Sequence, residues 1–167
     1  MMILYIVRHA SAVPHGTPGI AEDDRPLTED GIKKMKKAAA GLQSLGVTPN
    51  VILSSLLPRV RQTAETLQAV YGQKTPLLLV QALAPSGNRS EVYREIRNHG
   101  DADSLMLVGH QPSLEEIAEE IAWGSAEHYV ELKKGGACAL QLEEIRNIPR
   151  GTLLWLLTPS ILRKTAI

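Results

Sequence analysis

Leu4-Tyr5-Ile6-Val7-Arg8-His9-Ala10 is an apolar run that ends in arginine, histidine and a small residue. Two later stretches end in a similar way: Val51 to Arg59, which passes through Ser54-Ser55, and Leu107-Val108-Gly109-His110. A parallel strand that leaves the core for a loop with functional groups has this pattern. Because such loops lie at one edge of a parallel sheet, we expect the three to meet there.

Apolar strand patterns alternate with helical patterns along the chain, and no internal repeat or low-complexity segment is present. This alternation predicts a three-layer α/β/α sandwich with a mostly parallel central sheet, in one domain over residues 1–167. The predicted strands cover residues 1–7, 51–53, 77–83, 104–108, 136–142 and 152–157, and the last two form a hairpin. The predicted helices cover residues 29–45, 58–71, 90–98 and 112–123.

The first predicted helix has clear end signals, with Thr28 as its N-cap and Gly46 after its last turn. Its predicted buried stripe consists of Ile32, Met35, Ala39, Leu42 and Leu45. Four lysines, at positions 33, 34, 36 and 37, suit either a phosphate or nucleic-acid patch or a solvated face, and we interpret them as a solvated face. The connection before this helix, residues 10–27, contains three prolines and two glycines and is long for a simple link. It is therefore predicted to be a functional loop.

Composition limits the classes of partner and the compartment. The chain has 167 residues, of which 44% are hydrophobic, and its 18 basic residues balance 18 acidic ones. This balance predicts no nucleic-acid partner and no membrane-surface partner. The single cysteine, Cys138, excludes an internal disulfide and fits a reducing compartment. With no apolar run near the roughly 20 residues of a membrane helix and no signal peptide pattern, a cytoplasmic location is expected.

The charged groups at the three loops suit a phosphoryl centre. Arg8 and Arg59 can each offer paired N–H donors to phosphate, and Arg59 lies in the first turn of a helix that Pro58 can begin. The imidazole of His9 follows Arg8 directly and can attack phosphorus when it is neutral. Like-charge repulsion from its cationic neighbours is expected to keep it neutral, while His110 donates to the phosphoryl oxygens.

Other phosphatase chemistries fit the sequence less well. A cysteine phosphatase needs arginine six residues after the cysteine, but Glu144 stands six residues after Cys138. An aspartyl phosphatase needs an Asp-x-Asp pair just after a strand, whereas Asp101-Ala102-Asp103 precedes one. His9 and His110 have no carboxylate partners in their motifs and no close histidine spacing, so we expect no metal and no cofactor.

These motifs occur in an order that is shared with a known family. Arg8-His9-Ala10 after a strand, Ser54-Ser55 followed by Arg59-x-x-Gln62-Thr63, and Gly109-His110 resemble the histidine phosphatase superfamily, whose fold is called phosphoglycerate mutase-like. The short length, the segment Asp24-Arg25-Pro26-Leu27-Thr28-x-x-Gly31 and the segment from Ala82 to Gly87 are similar to those of its small bacterial phosphohistidine phosphatases, the SixA-type group. The resemblance implies His9 as phosphoacceptor, Arg8, Arg59 and His110 as the rest of the phosphate pocket, and no metal.

The sequence departs from the superfamily pattern at two points. Ala10 stands where the usual signature has glycine, which excludes backbone angles open only to glycine. The segment after Leu83 has no acidic residue where larger members place a general acid, and the nearest carboxylate, Glu91, is not our candidate. An imidazole leaving group, with a pKa of about 6.5, needs such an acid less than an alkoxide does. The missing carboxylate therefore favours a phosphoramidate substrate, although a water or a group from residues 10–27 could replace it.

The sequence thus predicts a phosphatase with a covalent phosphohistidine intermediate that acts on phosphohistidine in a signalling or phosphotransfer protein. The alternatives are a phosphomonoesterase for a small phosphorylated metabolite and a non-catalytic phosphate-binding module. Ser11 and Arg25 are further candidates for phosphate contacts, with loop anchoring as their alternative role. His15, in the same loop, is interpreted as an exposed loop residue, and His99 and His128 are expected to face solvent.

Overall fold

The computed structural model describes all 167 residues, with six strands and five helices. The strands are β1 (Met2–Arg8), β2 (Val51–Ser54), β3 (Leu77–Leu79), β4 (Ser104–Gly109), β5 (Ala137–Glu144) and β6 (Arg150–Leu157). The helices are α1 (Glu29–Ser44), α2 (Pro58–Tyr71), α3 (Arg89–Asn98), α4 (Ser113–Trp123) and α5 (Pro159–Thr165). Single turns of 3-10 helix lie at Glu22–Asp24 and Gln81–Leu83.

The six strands form one sheet in the order β3-β2-β4-β1-β5-β6. The first four strands in this order are parallel, while β5 and β6 form the predicted antiparallel hairpin at one side. In the register of this sheet, Arg8 lies opposite Gly109, and Ser54 lies opposite Val108. The carboxyl ends of β1, β2 and β4 therefore meet at one edge, as the strand-end motifs predicted.

The two faces of the sheet carry separate hydrophobic clusters because successive side chains of a strand point to opposite faces. Leu105 and Leu107 of β4 belong to the cluster that α3 and α4 cover. Met106 and Val108 of the same strand belong to the cluster that α1, α2 and α5 cover. Helices thus lie on both faces of a mostly parallel sheet, which confirms the predicted three-layer α/β class.

Several local signals have the predicted effect. The Thr28 hydroxyl accepts a hydrogen bond from the Gly31 N–H at 2.9 Å and caps α1, and Pro58 is the first residue of α2. Ala10 does not have a positive φ angle, so an alanine fits the turn in which the superfamily signature has glycine. No helix has the length and hydrophobicity that a bilayer crossing would require.

Two predictions of local structure were wrong, and one helix was missed. The strand predicted over residues 77–83 ends at Leu79, and a 3-10 turn follows, because a continuous apolar run does not show where a strand stops. Leu45 is 46% exposed, since α1 ends at Ser44 and Leu45 lies at its C-cap, outside the buried stripe. The short helix α5 was not predicted, although Thr158 caps it and Leu162 is buried beneath it.

Candidate active site

The adjacent ends of β1 and β4 place Arg8, His9 and His110 side by side. The His9 N–H donates to the Gly109 carbonyl at 3.1 Å and extends the parallel pairing by one residue. This bond fixes His9 beside His110, and the centroids of their rings are 5.6 Å apart. Strand pairing alone thus brings together two histidines that are about 100 residues apart in the sequence.

A glycine turn just before β5 forms hydrogen bonds to the backbone of Arg8 and His9. The Gly135 N–H donates to the carbonyls of both Arg8 and His9 at 3.1 Å, and the Gly136 carbonyl accepts from the Arg8 N–H. Gly135 has a φ of 80°, a conformation that favours glycine. The turn brings Lys134 to the site, a residue that the sequence analysis missed. The adjacent Gly135-Gly136 pair marks the turn but does not show where the turn packs.

The first turn of α2 contributes the third part of the site. Ser55 lies between β2 and α2, where its hydroxyl oxygen accepts from the Leu57 N–H at 3.3 Å and lies 3.1 Å from Nε2 of His110. Arg59, the second residue of α2, follows from this connection. The serine of the motif therefore orients the imidazole of His110, while the helix start directs Arg59 toward the same cleft.

Arg8, His9, Arg59 and His110 line one cleft of about 340 Å³. Its walls are formed by Arg8, His9, Arg25, Arg59, Pro85, His110, Gln111 and Lys134. The structure thus brings together all four residues that the sequence analysis selected. His9, Arg59 and His110 are only 7%, 6% and 5% exposed, which is unusual for such polar side chains. Four of the lining residues are basic and none carries a carboxylate, so the cleft is suited to an anion.

The hydrogen bond of His9 determines which ring nitrogen is free. Its Nδ1 lies 2.7 Å from the carbonyl of Ala10, and only a protonated Nδ1 can donate to that oxygen. In the neutral ring the lone pair is therefore on Nε2. Burial, opposed by this hydrogen bond and assisted by repulsion from Arg59, Arg8 and Lys134, lowers the pKa of His9 to about 4. The neutral ring was predicted, but burial rather than like-charge repulsion is its main cause.

His110 is held neutral for the same reasons. Burial, followed by repulsion from His9, Arg59 and Arg8, lowers the pKa of its imidazole to about 3. An anion in the cleft would counteract the repulsive part of this effect. Bound phosphate would therefore favour a protonated imidazole that can donate to it.

Both arginines have an unsatisfied donor. The Nε–H groups of Arg8 and Arg59 are buried and have no hydrogen-bond partner. Each side chain is fixed at its end, because Nη1 of Arg8 donates to the Leu132 carbonyl at 2.8 Å and Nη1 of Arg59 donates to the Glu22 carbonyl at 3.2 Å. A buried unsatisfied donor is costly, and a bound oxyanion is the kind of acceptor that a guanidinium group binds well.

Hydrogen bonds anchor the loop over residues 10–27 beside the cleft. The Leu27 N–H donates to Oε1 of Gln62 at 2.7 Å, so the glutamine of the α2 motif anchors the loop. Arg25 lines the cleft, and its guanidinium also donates to the Val13 carbonyl and to the Glu22 carboxylate. Arg25 therefore combines the two predicted roles of loop anchor and cleft residue. Ser11 does not line this cleft but lies at a neighbouring cavity.

The other candidates lie outside the cleft. His15 is exposed and pairs with Glu22, while His128 is exposed as expected. His99 differs from the expectation, since it is half-buried and its Nδ1 donates to the Glu95 carbonyl at 2.9 Å. Glu91 pairs with Arg94 at 3.2 Å and does not line the cleft. No group of three histidine, cysteine or acidic side chains is arranged to hold a metal ion.

Comparison with known sequences identifies a family. The model of the histidine phosphatase superfamily (branch 1) matches residues 4–84. An uncharacterized protein of Picosynechococcus sp. is 42% identical over 143 residues, which are 84% of this chain and 85% of that protein. An uncharacterized protein of Mycobacterium tuberculosis is 33% identical over 118 residues, which are 70% of each chain.

Comparison with solved structures gives the same fold. The protein histidine phosphatase SixA complexed with tungstate aligns with a TM-score of 0.83 and 21% identity, over 96% of this chain and 99% of that chain. A protein of Agrobacterium tumefaciens assigned as phosphohistidine phosphatase SixA aligns with a TM-score of 0.78 and 25% identity, over 95% of this chain and 98% of that chain. The chain therefore belongs to the histidine phosphatase superfamily, as its motifs predicted, and has the fold of the SixA-type group.

Proposed function

We propose that this protein is a metal-independent phosphatase in which Nε2 of His9 attacks phosphorus and carries the phosphoryl group as phosphohistidine. Membership of the superfamily supports phosphatase activity. The observation that carries the proposal is the cleft itself, which His9, with its free lone pair on Nε2, lines together with Arg8 and Arg59, whose buried Nε–H donors are unsatisfied. The proposed nucleophile and the proposed anion-binding groups therefore lie in one cleft.

The reaction proceeds in two steps. In the first, Nε2 of His9 forms a bond to phosphorus while the bond from phosphorus to the leaving group breaks. In the second, water attacks phosphorus, the bond to Nε2 breaks and orthophosphate leaves. Arg8 and Arg59 stabilise the charge that is spread over the equatorial oxygens, and His110 donates to one of these oxygens.

The substrate that we propose is phosphohistidine on a signalling or phosphotransfer protein. None of the eight residues around the cleft is a carboxylic acid, which an alkoxide leaving group would need as a proton donor. An imidazole leaving group, whose conjugate acid has a pKa of about 6.5, depends less on such a donor. A solved protein histidine phosphatase with this fold was complexed with tungstate, a tetrahedral oxyanion like phosphate, which also supports the proposal.

The test is to trap the intermediate. After brief incubation with a radiolabelled phosphohistidine protein, we expect acid-labile, alkali-stable label on the wild-type chain and none on a His9→Ala variant. His128→Asn is the matched control, because His128 is an exposed histidine with a φ of 61°, an angle that asparagine tolerates. This control should label like the wild type.

Turnover on two substrates then decides between the candidate functions. Faster turnover of phosphohistidine protein than of an aryl phosphate is the expected result. The reverse preference would favour a phosphomonoesterase for a small metabolite. Stoichiometric phosphate binding with no label and no turnover on either donor would favour a non-catalytic phosphate-binding module.

A further inference from the structure

A second cavity, of about 200 Å³, lies beside the proposed active site between the loop after β1 and helices α1 and α5. Three of its lining residues are basic, namely Lys34 of α1, Lys134 of the glycine turn and Arg163 of α5. None of its ten lining residues is acidic. The cavity is therefore electropositive, although the whole chain has no net charge.

Two of these three cations are not neutralised within the protein. Lys34 forms an ion pair with Asp30 at 3.0 Å, and Lys133, the neighbour of Lys134, pairs with Glu131 at 2.9 Å. Lys134 and Arg163 have no such carboxylate partner. Both side chains are therefore available to an anion that comes from outside.

The part of the wall between these cations is apolar. Met35 and Ala38 of α1 and Pro159, the first residue of α5, line it. Arg163 also lines the cavity and is half-buried, so part of its side chain packs against the protein. A cavity with a partly apolar wall and charged side chains at its border suits an anionic group on a short carbon or peptide chain better than a free ion.

The two cavities share a wall. Lys134 lines both the active-site cleft and the second cavity. The chain just after His9 forms part of the second cavity through Ala10 and Ser11. After burial and the charges of Arg59 and Arg8, the charge of Lys134 also contributes to the lowered pKa of His9. A molecule with its phosphoryl group at His9 would therefore reach the second cavity if it extended past Lys134.

From this arrangement we infer that the second cavity binds a second anionic group, a carboxylate or a phosphate, on the same substrate molecule as the phosphoryl group. Arg163 is its main partner, and Lys134 bridges the two sites. This inference rests on the proposed function for the identity of the first site. The second anion has two possible sources, either an acidic side chain of a phosphorylated protein or a second anionic group of a small substrate.

Binding can be measured without turnover. Isothermal titration of the full chain would compare methylphosphonate with alkane bisphosphonates of increasing chain length. We expect one chain length to bind about tenfold more tightly than methylphosphonate, the effect of one well-placed charge-assisted contact. A parallel series of peptides would carry a stable phosphohistidine analogue with glutamate or glutamine at successive positions. A gain in affinity only with bisphosphonates would identify a small substrate as the source of the second anion. A gain in affinity only with glutamate peptides would identify a phosphorylated protein as its source.

Matched variants test whether Arg163 produces the gain in affinity. Arg163→Met removes the charge but keeps an apolar stem, and it should abolish the gain. Lys164→Met removes the same charge one position further along α5, where the exposed side chain lines neither cavity, and should retain the gain. The inference is overturned if no compound shows a gain, or if the gain persists in Arg163→Met. A chain that shows the gain in affinity but never turns over a phosphoryl donor would refute the proposed function, while the second cavity would still be shown to bind the second anionic group of a ligand.

Discussion

The hydroxyl oxygen of Thr63 accepts a hydrogen bond from the backbone N–H of Ala10 at 3.0 Å. The same hydroxyl donates to the Arg59 carbonyl at 2.7 Å. Because Thr63 is fully buried, it links the turn after His9 to the first turn of α2 without competition from water. One side chain thus couples the position of the proposed nucleophile to the position of an arginine that would hold its substrate.

This link predicts the effect of replacing Thr63 with valine, which has nearly the same shape but no hydroxyl. The Ala10 N–H would be left buried without an acceptor, so the free energy of unfolding should fall by about 1–3 kcal/mol. The rate of His9 phosphorylation should fall as well, because the turn loses its anchor. Urea unfolding and single-turnover phosphorylation would measure the two effects.

Thr66→Val is the matched control. The Thr66 hydroxyl donates to the Gln62 carbonyl at 2.7 Å, which is the same helical bond that Thr63 makes to Arg59, but it accepts nothing from the loop. Its replacement should have a smaller effect on stability and leave phosphorylation unchanged. Equal losses in the two variants would show that the bond to Ala10 does not hold the turn.

Glu115 of α4 is predicted to position Arg8 from behind the cleft. This carboxylate, 7% exposed, accepts from the Leu132 N–H at 2.9 Å and from Nε2 of Gln111 at 2.8 Å. The Leu132 carbonyl in turn accepts from Arg8. Glu115→Ala should lower kcat/KM at least tenfold and destabilise the fold by about 1–3 kcal/mol, since it leaves a buried N–H unsatisfied.

Two further variants test the positioning role of Glu115. Glu115→Gln keeps an acceptor oxygen for the Leu132 N–H and should restore most of the stability. Glu116→Ala, at the next position, removes only a half-exposed ion pair with Arg89 and should change the stability by less than about 1 kcal/mol. If Glu115→Gln is as damaging as Glu115→Ala, the charge of Glu115 matters and its hydrogen bond does not.

The sequence could predict the four central residues of the cleft because two simple rules place them. Parallel strands end at one edge of the sheet, and Pro58 begins a helix one residue before Arg59. Lys134 could not be predicted in this way. It reaches the cleft through the packing of a glycine turn against Arg8 and His9, a contact between distant segments that no local pattern encodes.

The fold likewise has features that the sequence could predict and features that it could not. The mostly parallel sheet and the helices on both faces follow from the alternation of strand and helix patterns, whereas the strand order and the ends of the elements depend on tertiary contacts. Helix α5 has only seven residues, too few for a clear hydrophobic period, and its packing on α1 is what fixes it. At that contact Gly41 approaches Leu162 so closely that a Cβ atom would collide with its carbonyl.

The lowered pKa values of the two cleft histidines predict how stability depends on pH. The unfolded chain binds protons at both histidines below a pH of about 6.5, while the folded chain resists protonation until the pH nears the lowered values of about 4 for His9 and about 3 for His110. The unfolded state therefore binds more protons in this window, and the free energy of unfolding should decrease as the pH falls from about 6.5 to 4.

A His110→Asn variant removes the contribution of His110 to this pH dependence. Its free energy of unfolding should depend less steeply on pH than that of the wild type, by up to about 1.4 kcal/mol per pH unit between pH 6 and pH 4.5. Urea unfolding in acetate and MES buffers gives this comparison without phosphate, which would bind in the cleft. Parallel profiles for the two proteins would show that burial does not keep His110 neutral.

The last prediction concerns Ala10, the position at which this chain departs from the glycine of the superfamily signature. Its φ is not positive and its methyl group is buried against the cluster of α1 and α2, so glycine offers no conformational advantage here. Ala10→Gly should destabilise the fold by about 1 kcal/mol, through added freedom of the unfolded chain and a lost apolar contact, without raising kcat.

Gly31→Ala is the informative contrast, because a Cβ at Gly31 would collide with the backbone carbonyl of Ser11 and push the loop that follows His9. We expect Gly31→Ala to be the more damaging substitution in thermal unfolding and in His9 phosphorylation. A gain in kcat for Ala10→Gly would instead mean that the turn must pass through a glycine-only conformation during the reaction.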